Sequence, residues 1–348
     1  MQSANRAEAN AGSALSAAAK PSSAAVTATG FVPRTCVRSP CRRSIGGSVS
    51  SPNANVAKRS LPPGRSMIWM GARSPSCATR RLCGPRDSSS LSGVLGVFVH
   101  ADLAADGLGY LRCRLPYRRA DGRPMFHTPH LGLAQERVRY VGEAIAVVVA
   151  ESALAAEDAA ALAEVDIDPL PAVASVDAAL AQGATQLHDS APGNVSVHFE
   201  AGDAQAVDAA FDRAAHVSHL RIHSQRLMGV PLEPRAVVVC HDEASGVTRV
   251  HSPNQGVHGM LGHLCTVTGI ALEHFQVDTQ DVGGSFGVRI GPFSEHAVMV
   301  MAARQLKRPL RWVATRSEVF LSDWHGRALT LNGSIALDAQ GKILALRY

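Results

Sequence analysis

The chain lacks long apolar runs. No stretch of 18 or more consecutive apolar residues occurs, so no segment reads as a transmembrane helix. Cysteine is sparse and poorly spaced. Cys36, Cys41, Cys77 and Cys83 fall in the first third, and Cys113, Cys240 and Cys265 are scattered through the rest. None forms a C-x2-C pair, and no C-x4-C-x2-C run occurs, which argues against a zinc site and a plant-type iron–sulfur site. The odd count of 7 in a chain of 348 residues argues against a disulfide framework. Acids are scarce at the front. Residues 1–91 hold 13 Lys and Arg against only Glu8 and Asp87, a net of +11, while the remainder holds 21 against 27, a net of −6. The overall charge of +5 is therefore a property of the N-terminal third. The rest is acidic and carries no nucleic-acid footprint.

Residues 1–91 also lack any sustained period of 2 or 3.6, and Ser, Ala, Arg and Pro dominate them. This composition predicts a disordered segment. A low-acid, Arg- and Ser-rich N-terminus is compatible with an organelle transit peptide. Arg42-Arg43 is not followed by the apolar core of a signal peptide. A third reading is a disrupted reading frame upstream of about Ser90.

From Ser92 the texture changes to a mixed α+β pattern. "GVLGVFVHADL" predicts a strand and a turn, and "AIAVVVA" at 144–150 a buried strand. Ser152 and Ser175 are placed to N-cap alanine-rich helices, the second closed by Gly183. "VDIDPLP" reads as a strand stopped by its prolines. These elements make a β/α unit over 92–183. A second unit, 194–348, opens with a helix capped by Asp203. Strands follow at 216–223 and 235–241, then "DEASG" as a hairpin turn. Ser252-Pro253 predicts a helix ended by Gly269, 274–280 a strand, and Ser294 to Leu306 a helix. A hairpin turning at Gly341 closes the chain.

Between the strand at 274–280 and the next helix lies "DVGGSFGVR". Its glycines allow positive φ and close approach of a ligand to the backbone. N–H groups converging in such a turn can hold an anion or a cofactor oxygen. The turn has no Lys-Ser/Thr pair and does not fit G-x-G-x-x-G, so it is not a P-loop or a dinucleotide fingerprint. A tight structural turn is the alternative.

Four further stretches bear on that choice. "RVRYVGEAIAVVVAES…DAAALAEVDIDPLPAV" resembles the α/β hammerhead domain of the xanthine dehydrogenase, aldehyde oxidase and carbon monoxide dehydrogenase family. "PLEPRAVVV", "VHSPNQGVHGMLGHL", "DVGGSFGVR" and "KRPLRWVATRSEVF" resemble, in order, landmarks of the first molybdopterin-binding domain of its large subunit. The usual turn is closer to G-G-G-F-G-G-K; here Ser285 replaces the third glycine, Val288 the one after Phe-Gly, and Arg289 the lysine.

The resemblance implies a fragment: a hammerhead domain lacking its N-terminal part, then a truncated first molybdopterin domain. It also implies molybdenum–molybdopterin bound near Gln255, Gly284, Phe286 and Gly287. Phe286 and Gly287 would offer backbone contacts at the metal centre, and Gln255 an amide to an oxo ligand. No catalytic residue and no protein ligand to the metal is expected within the chain, and the general-base glutamate is expected beyond Tyr348. Implied partners are iron–sulfur and FAD subunits, a possible homodimer of the complex and a small-molecule substrate, in a bacterial cytoplasm. The family reaction is water-derived hydroxylation or oxidation of an aldehyde, an N-heterocycle or carbon monoxide. Two alternatives stay open: a non-catalytic remnant or assembly scaffold, and half of a split enzyme.

Other residues have plainer explanations. Ser252-Pro253-Asn254-Gln255 matches a capping box, with Gln255 at N3. His258 and His263 lie about 140° apart on a predicted helix and share no ligand face. His216, His219 and His223 fall on both faces of a strand. Glu233 and Arg235 suggest a salt bridge or sheet-edge role. Arg316 and Glu318 suggest a helix start, and Glu143 a solvent-facing or turn position.

Overall fold

The computed structural model describes residues 24–29, 65–71, 77–78 and 91–348, except Arg114, Glu164 and Asp166. The expectation of disorder for residues 1–91 falls largely outside the described residues. Within that segment three strands are described: Ala24–Thr29, Arg65–Gly71 and Cys77–Ala78.

The fold is mixed α+β and centres on a seven-stranded sheet. Its order is Phe275–Asp278, Thr248–His251, Ala236–His241, Leu310–Val313, Arg65–Gly71, Ala144–Ala150 and Val94–Val99. The run "AIAVVVA" is buried along its whole length because strands pair on both of its edges and residues pack on both faces. The helix Ser294–Leu306, apolar nearly all round, packs against Ala236–His241 and is buried from Ser294 to Ala303. Val147, Val149, Val239, Met260, Met299 and Leu310 share one core, so both sequence units contribute to it. A second sheet joins His216–Met228, His325–Leu337 and Ile343–Arg347, with the helix Ala204–Asp212 packed on its last strand.

The helix starts follow local chemistry. Ser152, Ser175 and Asp203 each accept a hydrogen bond from the backbone N–H three residues on, at 3.1, 3.1 and 2.9 Å. Thr315 caps Arg316–Ser322 in a reciprocal box with Glu318, as the "TRSE" pattern suggests. Gly269 ends its helix in the left-handed region, at φ +69°.

Three local expectations change. The stretch after Val99 is a short helix, His100–Ala104, because the Asp102 carboxylate accepts the Val99 N–H at 2.8 Å. No strand is described over 165–171; Val165 and Ile167 pack on Ala134, Val138 and Ile145 instead. The helix after Ser252-Pro253 begins only at Val257, with Gly256 at its N-cap. Ser252 does not cap it: its hydroxyl donates to the Ala236 carbonyl at 2.7 Å and lies 2.9 Å from His296 Nε2. Gln255 is therefore not an N3 residue, and the capping-box explanation for it falls.

Candidate functional site: the glycine turn and Gln255

Thr248–His251 and Phe275–Asp278 run parallel, so their C-terminal ends emerge side by side at one edge of the core. Loops leaving the carboxyl ends of neighbouring parallel strands form crevices where ligands bind. Here those loops carry Gln255 and the glycine turn. They are joined directly: the Gln255 N–H donates to the Arg289 carbonyl at 3.0 Å, and the Arg289 N–H to Gln255 Oε1 at 3.4 Å. Asn254 shapes the approach by accepting the Gly256 N–H at 2.9 Å and donating to the Ser252 carbonyl at 2.9 Å. Residues 34 positions apart in sequence thus share one rim.

The turn holds three residues at positive φ: Gly284 (+106°), Phe286 (+51°) and Gly287 (+87°). A Cβ on Gly284 would sit 3.2 Å from the Phe286 ring and 3.3 Å from Pro231 Cβ, so glycine fits both the angle and the space. Phenylalanine in the left-handed region is unfavourable. The strain does not serve the core, because Phe286 is 74% exposed. Strain of this kind concentrates at ligand sites. Among the described residues, the N–H groups of Gly284, Ser285, Phe286 and Gly287 meet no acceptor. The buried Ser285 hydroxyl likewise has no partner. The turn therefore offers a set of unspent donors beside an exposed aromatic ring. A ligand with several oxygen or nitrogen acceptors and a flat body suits that set.

Two arginines fix the turn from behind. Arg289, 3% exposed, donates to Glu233 Oε2 at 2.6 Å and to the Glu233 and Pro234 carbonyls. Glu233 in turn accepts the Gly283 N–H at 2.7 Å. Arg316 donates to the carbonyls of Pro231, at 2.8 Å, and Leu232. Four consecutive carbonyls, 231 to 234, are thus held by two guanidinium forks. The salt-bridge reading of Glu233 fits this geometry, but sequence reasoning missed its partner. The only signal was Arg289 standing where the related turns carry lysine.

Arg235 is the buried centre of a separate network. It pairs with Glu295 at 2.5 Å and with Asp323, donates to Ser322 Oγ at 2.8 Å, and stacks 4.4 Å from the Phe293 ring. Phe293 lies 4.9 Å from Trp324. The network ties the helix after the turn to the helix Arg316–Ser322. His219 and His223 bond Ser334 and Thr330 across strands, as ordinary sheet histidines do.

Glu143 is a correction. It follows the turn at Gly142 as expected, yet it is only 6% exposed and accepts the Arg139 N–H. Burial pushes its pKa up to about 7, against the opposing pull of that hydrogen bond. The folded value lies above the unfolded one, so the folded chain keeps a proton that the unfolded chain releases. Stability should therefore fall as pH rises from about 4.5 to 7, by on the order of 3 kcal/mol for the full shift. Glu143→Gln should flatten denaturation midpoints over that window; an unchanged slope would refute the assignment.

Among the described residues, no group of three or more His, Cys, Asp or Glu side chains could hold a metal ion, and no helix is long and apolar enough to cross a membrane. A ligand at the turn would be gripped mainly by backbone and amide groups. Fold and turn together give a mixed α+β chain with a strained, donor-rich loop at the carboxyl edge of its sheet.

Comparisons narrow that class. Residues 84–171 match the aldehyde oxidase and xanthine dehydrogenase a/b hammerhead domain, and residues 187–348 match the molybdopterin cofactor-binding domain. The chain is 35% identical to the 6-hydroxypseudooxynicotine dehydrogenase complex subunit gamma of Paenarthrobacter nicotinovorans, over 63% of this chain and 27% of that protein. It is 28% identical to the carbon monoxide dehydrogenase large chain of Afipia carboxidovorans, over 75% of this chain and 32% of that one. The crystal structure of quinoline 2-oxidoreductase from Pseudomonas putida 86 superposes with a TM-score of 0.73 at 26% identity, covering 82% of this chain and 35% of that one. The chain belongs to the family of molybdenum-binding large subunits that includes xanthine dehydrogenase, aldehyde oxidoreductase and carbon monoxide dehydrogenase. It spans 27% and 32% of the length of the two curated relatives named above.

Proposed function

We propose that this chain is a segment of a molybdenum hydroxylase large subunit, and that Gln255, Gly284, Phe286 and Gly287 line one wall of its molybdopterin site. The observation that carries the reading is the direct bonding of the Gln255 loop to the glycine turn, with the turn's N–H donors left unpaired. The residues present fit such a group: several unpaired backbone donors, an unpartnered Ser285 hydroxyl, and open space beside Gly287, where a Cβ would meet nothing within 4 Å. When bound, the molybdenum cofactor supplies the two-electron oxidation that introduces a water-derived oxygen into an aldehyde, an N-heterocycle or carbon monoxide. The chain's own residues orient it. The backbone N–H groups of 284–287 would donate to it, and the exposed Phe286 ring would lie beside it. The Gln255 amide is aimed by its contact with Arg289.

The proposal extends to iron–sulfur and FAD partner subunits that carry electrons away, a small-molecule substrate, a possible homodimer of the complex and a cytoplasmic location. It assigns no general base here. Glu233 and Glu295 are committed to arginines, and Glu318 to a helix cap. That commitment of nearby carboxylates also favours a second reading, a segment that docks partner subunits without catalysis or is completed by another chain.

The two readings part at Gln255. In a complete enzyme bearing this segment, Gln255→Ala should lower turnover per folded molecule roughly 10–100-fold. Stability should change by no more than about 0.5 kcal/mol, since Gln255 is exposed and outside the helix. Unchanged turnover in the folded variant would support the docking reading.

A further inference from the structure

The second sheet contains an arrangement that neither core packing nor the glycine turn explains. Arg226 and Arg327 are direct partners on antiparallel strands, so their side chains leave the same face of the sheet. Like charges directly opposite each other destabilise a sheet. Among the described residues, neither guanidinium is bonded to an acceptor, whereas Arg235, Arg289 and Arg316 all are. Arg226 is half-buried, and burial lowers its pKa with no carboxylate offsetting it. The backbone beneath the pair is strained: Arg327 and Ala328 adopt φ of +65° and +59° inside a strand.

Both arginines line a cleft of about 540 Å³, together with Leu115, Tyr140, Val176 and Trp324. That volume suits a small organic ligand. The acid in the cleft wall, Asp323, is already paired with Arg235. Arg226 also borders a neighbouring hollow of about 510 Å³, where Asp177 and His223 lie.

From this geometry we infer that Arg226 and Arg327 form a binding site for a small organic oxyanion, its charged head between the two guanidinium groups and its apolar body over Leu115 and Trp324. An oxyanion would relieve the cross-strand repulsion and supply the acceptors both side chains lack. The apolar wall accounts for a preference for an organic anion over an inorganic one. The inference does not use the cofactor reading and stands or falls separately from it.

The test is calorimetric titration of the full chain with phenyl phosphate, benzoate and neutral benzyl alcohol. Phenyl phosphate or benzoate should bind and benzyl alcohol should not, and the tighter of the two anions identifies a phosphoryl or a carboxylate head. Arg226→Gln and Arg327→Gln should each weaken anion binding about tenfold or more. Arg221→Gln, on the same strand but outside both hollows, should leave it unchanged. Arg327→Gln should also raise the ligand-free denaturation midpoint, since it removes a repulsion. Should Arg226→Gln fail to fold, Arg226→Lys, which keeps the charge but not the fork, should still bind more weakly than wild type. Absence of binding by both anions, equal binding of benzyl alcohol, or full affinity in folded Arg226→Gln and Arg327→Gln chains would overturn the proposal.

Discussion

Arg235→Leu should destabilise the chain by about 3–5 kcal/mol, the cost of breaking a buried ion network by removing one side of it. The size follows from what is left behind. Glu295 and Asp323 are nearly inaccessible, and both lose their cation at once. Ser322 loses its donor, and the Phe293 and Trp312 rings lose the guanidinium packed against them. The damage should reach the glycine turn, because Phe293 caps the helix that comes after it and Arg316 holds Pro231 and Leu232 from the helix that contains Ser322. Arg235→Lys should recover only part of the loss, since a single ammonium does not reproduce the fork. Urea denaturation of the two variants measures this; a loss below about 1 kcal/mol for Arg235→Leu would mean that the carboxylates are hydrated or protonated at no cost.

Gly142→Ala should cost about 3 kcal/mol or more, the sum of backbone strain and a collision. Gly142 has φ +93°, where side-chain-bearing residues are strained. A Cβ there would lie 2.6 Å from the Leu321 carbonyl oxygen and 2.8 Å from Leu321 Cβ, neither of which is the far end of a flexible side chain. The contact joins the turn of the hammerhead unit to the helix Arg316–Ser322, so relief requires moving one against the other. Gly287→Ala is the matched control. It has a similar φ of +87° and open space, so only the strain of roughly 1–3 kcal/mol should remain. Equal losses for the two variants would show that the Leu321 contact adds nothing.

What was legible in the sequence was local chemistry. Ser152, Ser175, Asp203 and Thr315 declare helix starts because each carries a hydroxyl or carboxylate with no better partner nearby. Ser252 has the same signature and fails, because tertiary structure supplies competitors: the Ala236 carbonyl and His296. Glu143 was misread for a similar reason. Its charge suggests water, yet the fold buries it beside the Arg139 N–H. The residues of the turn were visible as a motif, but their geometry was not. That Phe286 is exposed and left-handed, and that Gln255 touches Arg289, depends on two parallel strands ending side by side. The Arg289–Glu233 clamp spans 56 positions, and no spacing rule reveals it. Equally hidden was the pairing of strands from both sequence units in one sheet around one core.

The central claim, that the unpaired N–H groups of the glycine turn hold the cofactor, is tested most directly by amide hydrogen exchange. The measurement compares residues 283–289 in a complete enzyme bearing this segment, with and without bound molybdopterin. The amides of Gly284, Ser285, Phe286 and Gly287 should exchange freely in the cofactor-free form and become protected when it is loaded. Gly283 and Val288, already bonded to Glu233 and the Ser285 carbonyl, should change little. Identical exchange at 284–287 in the two forms would contradict the account.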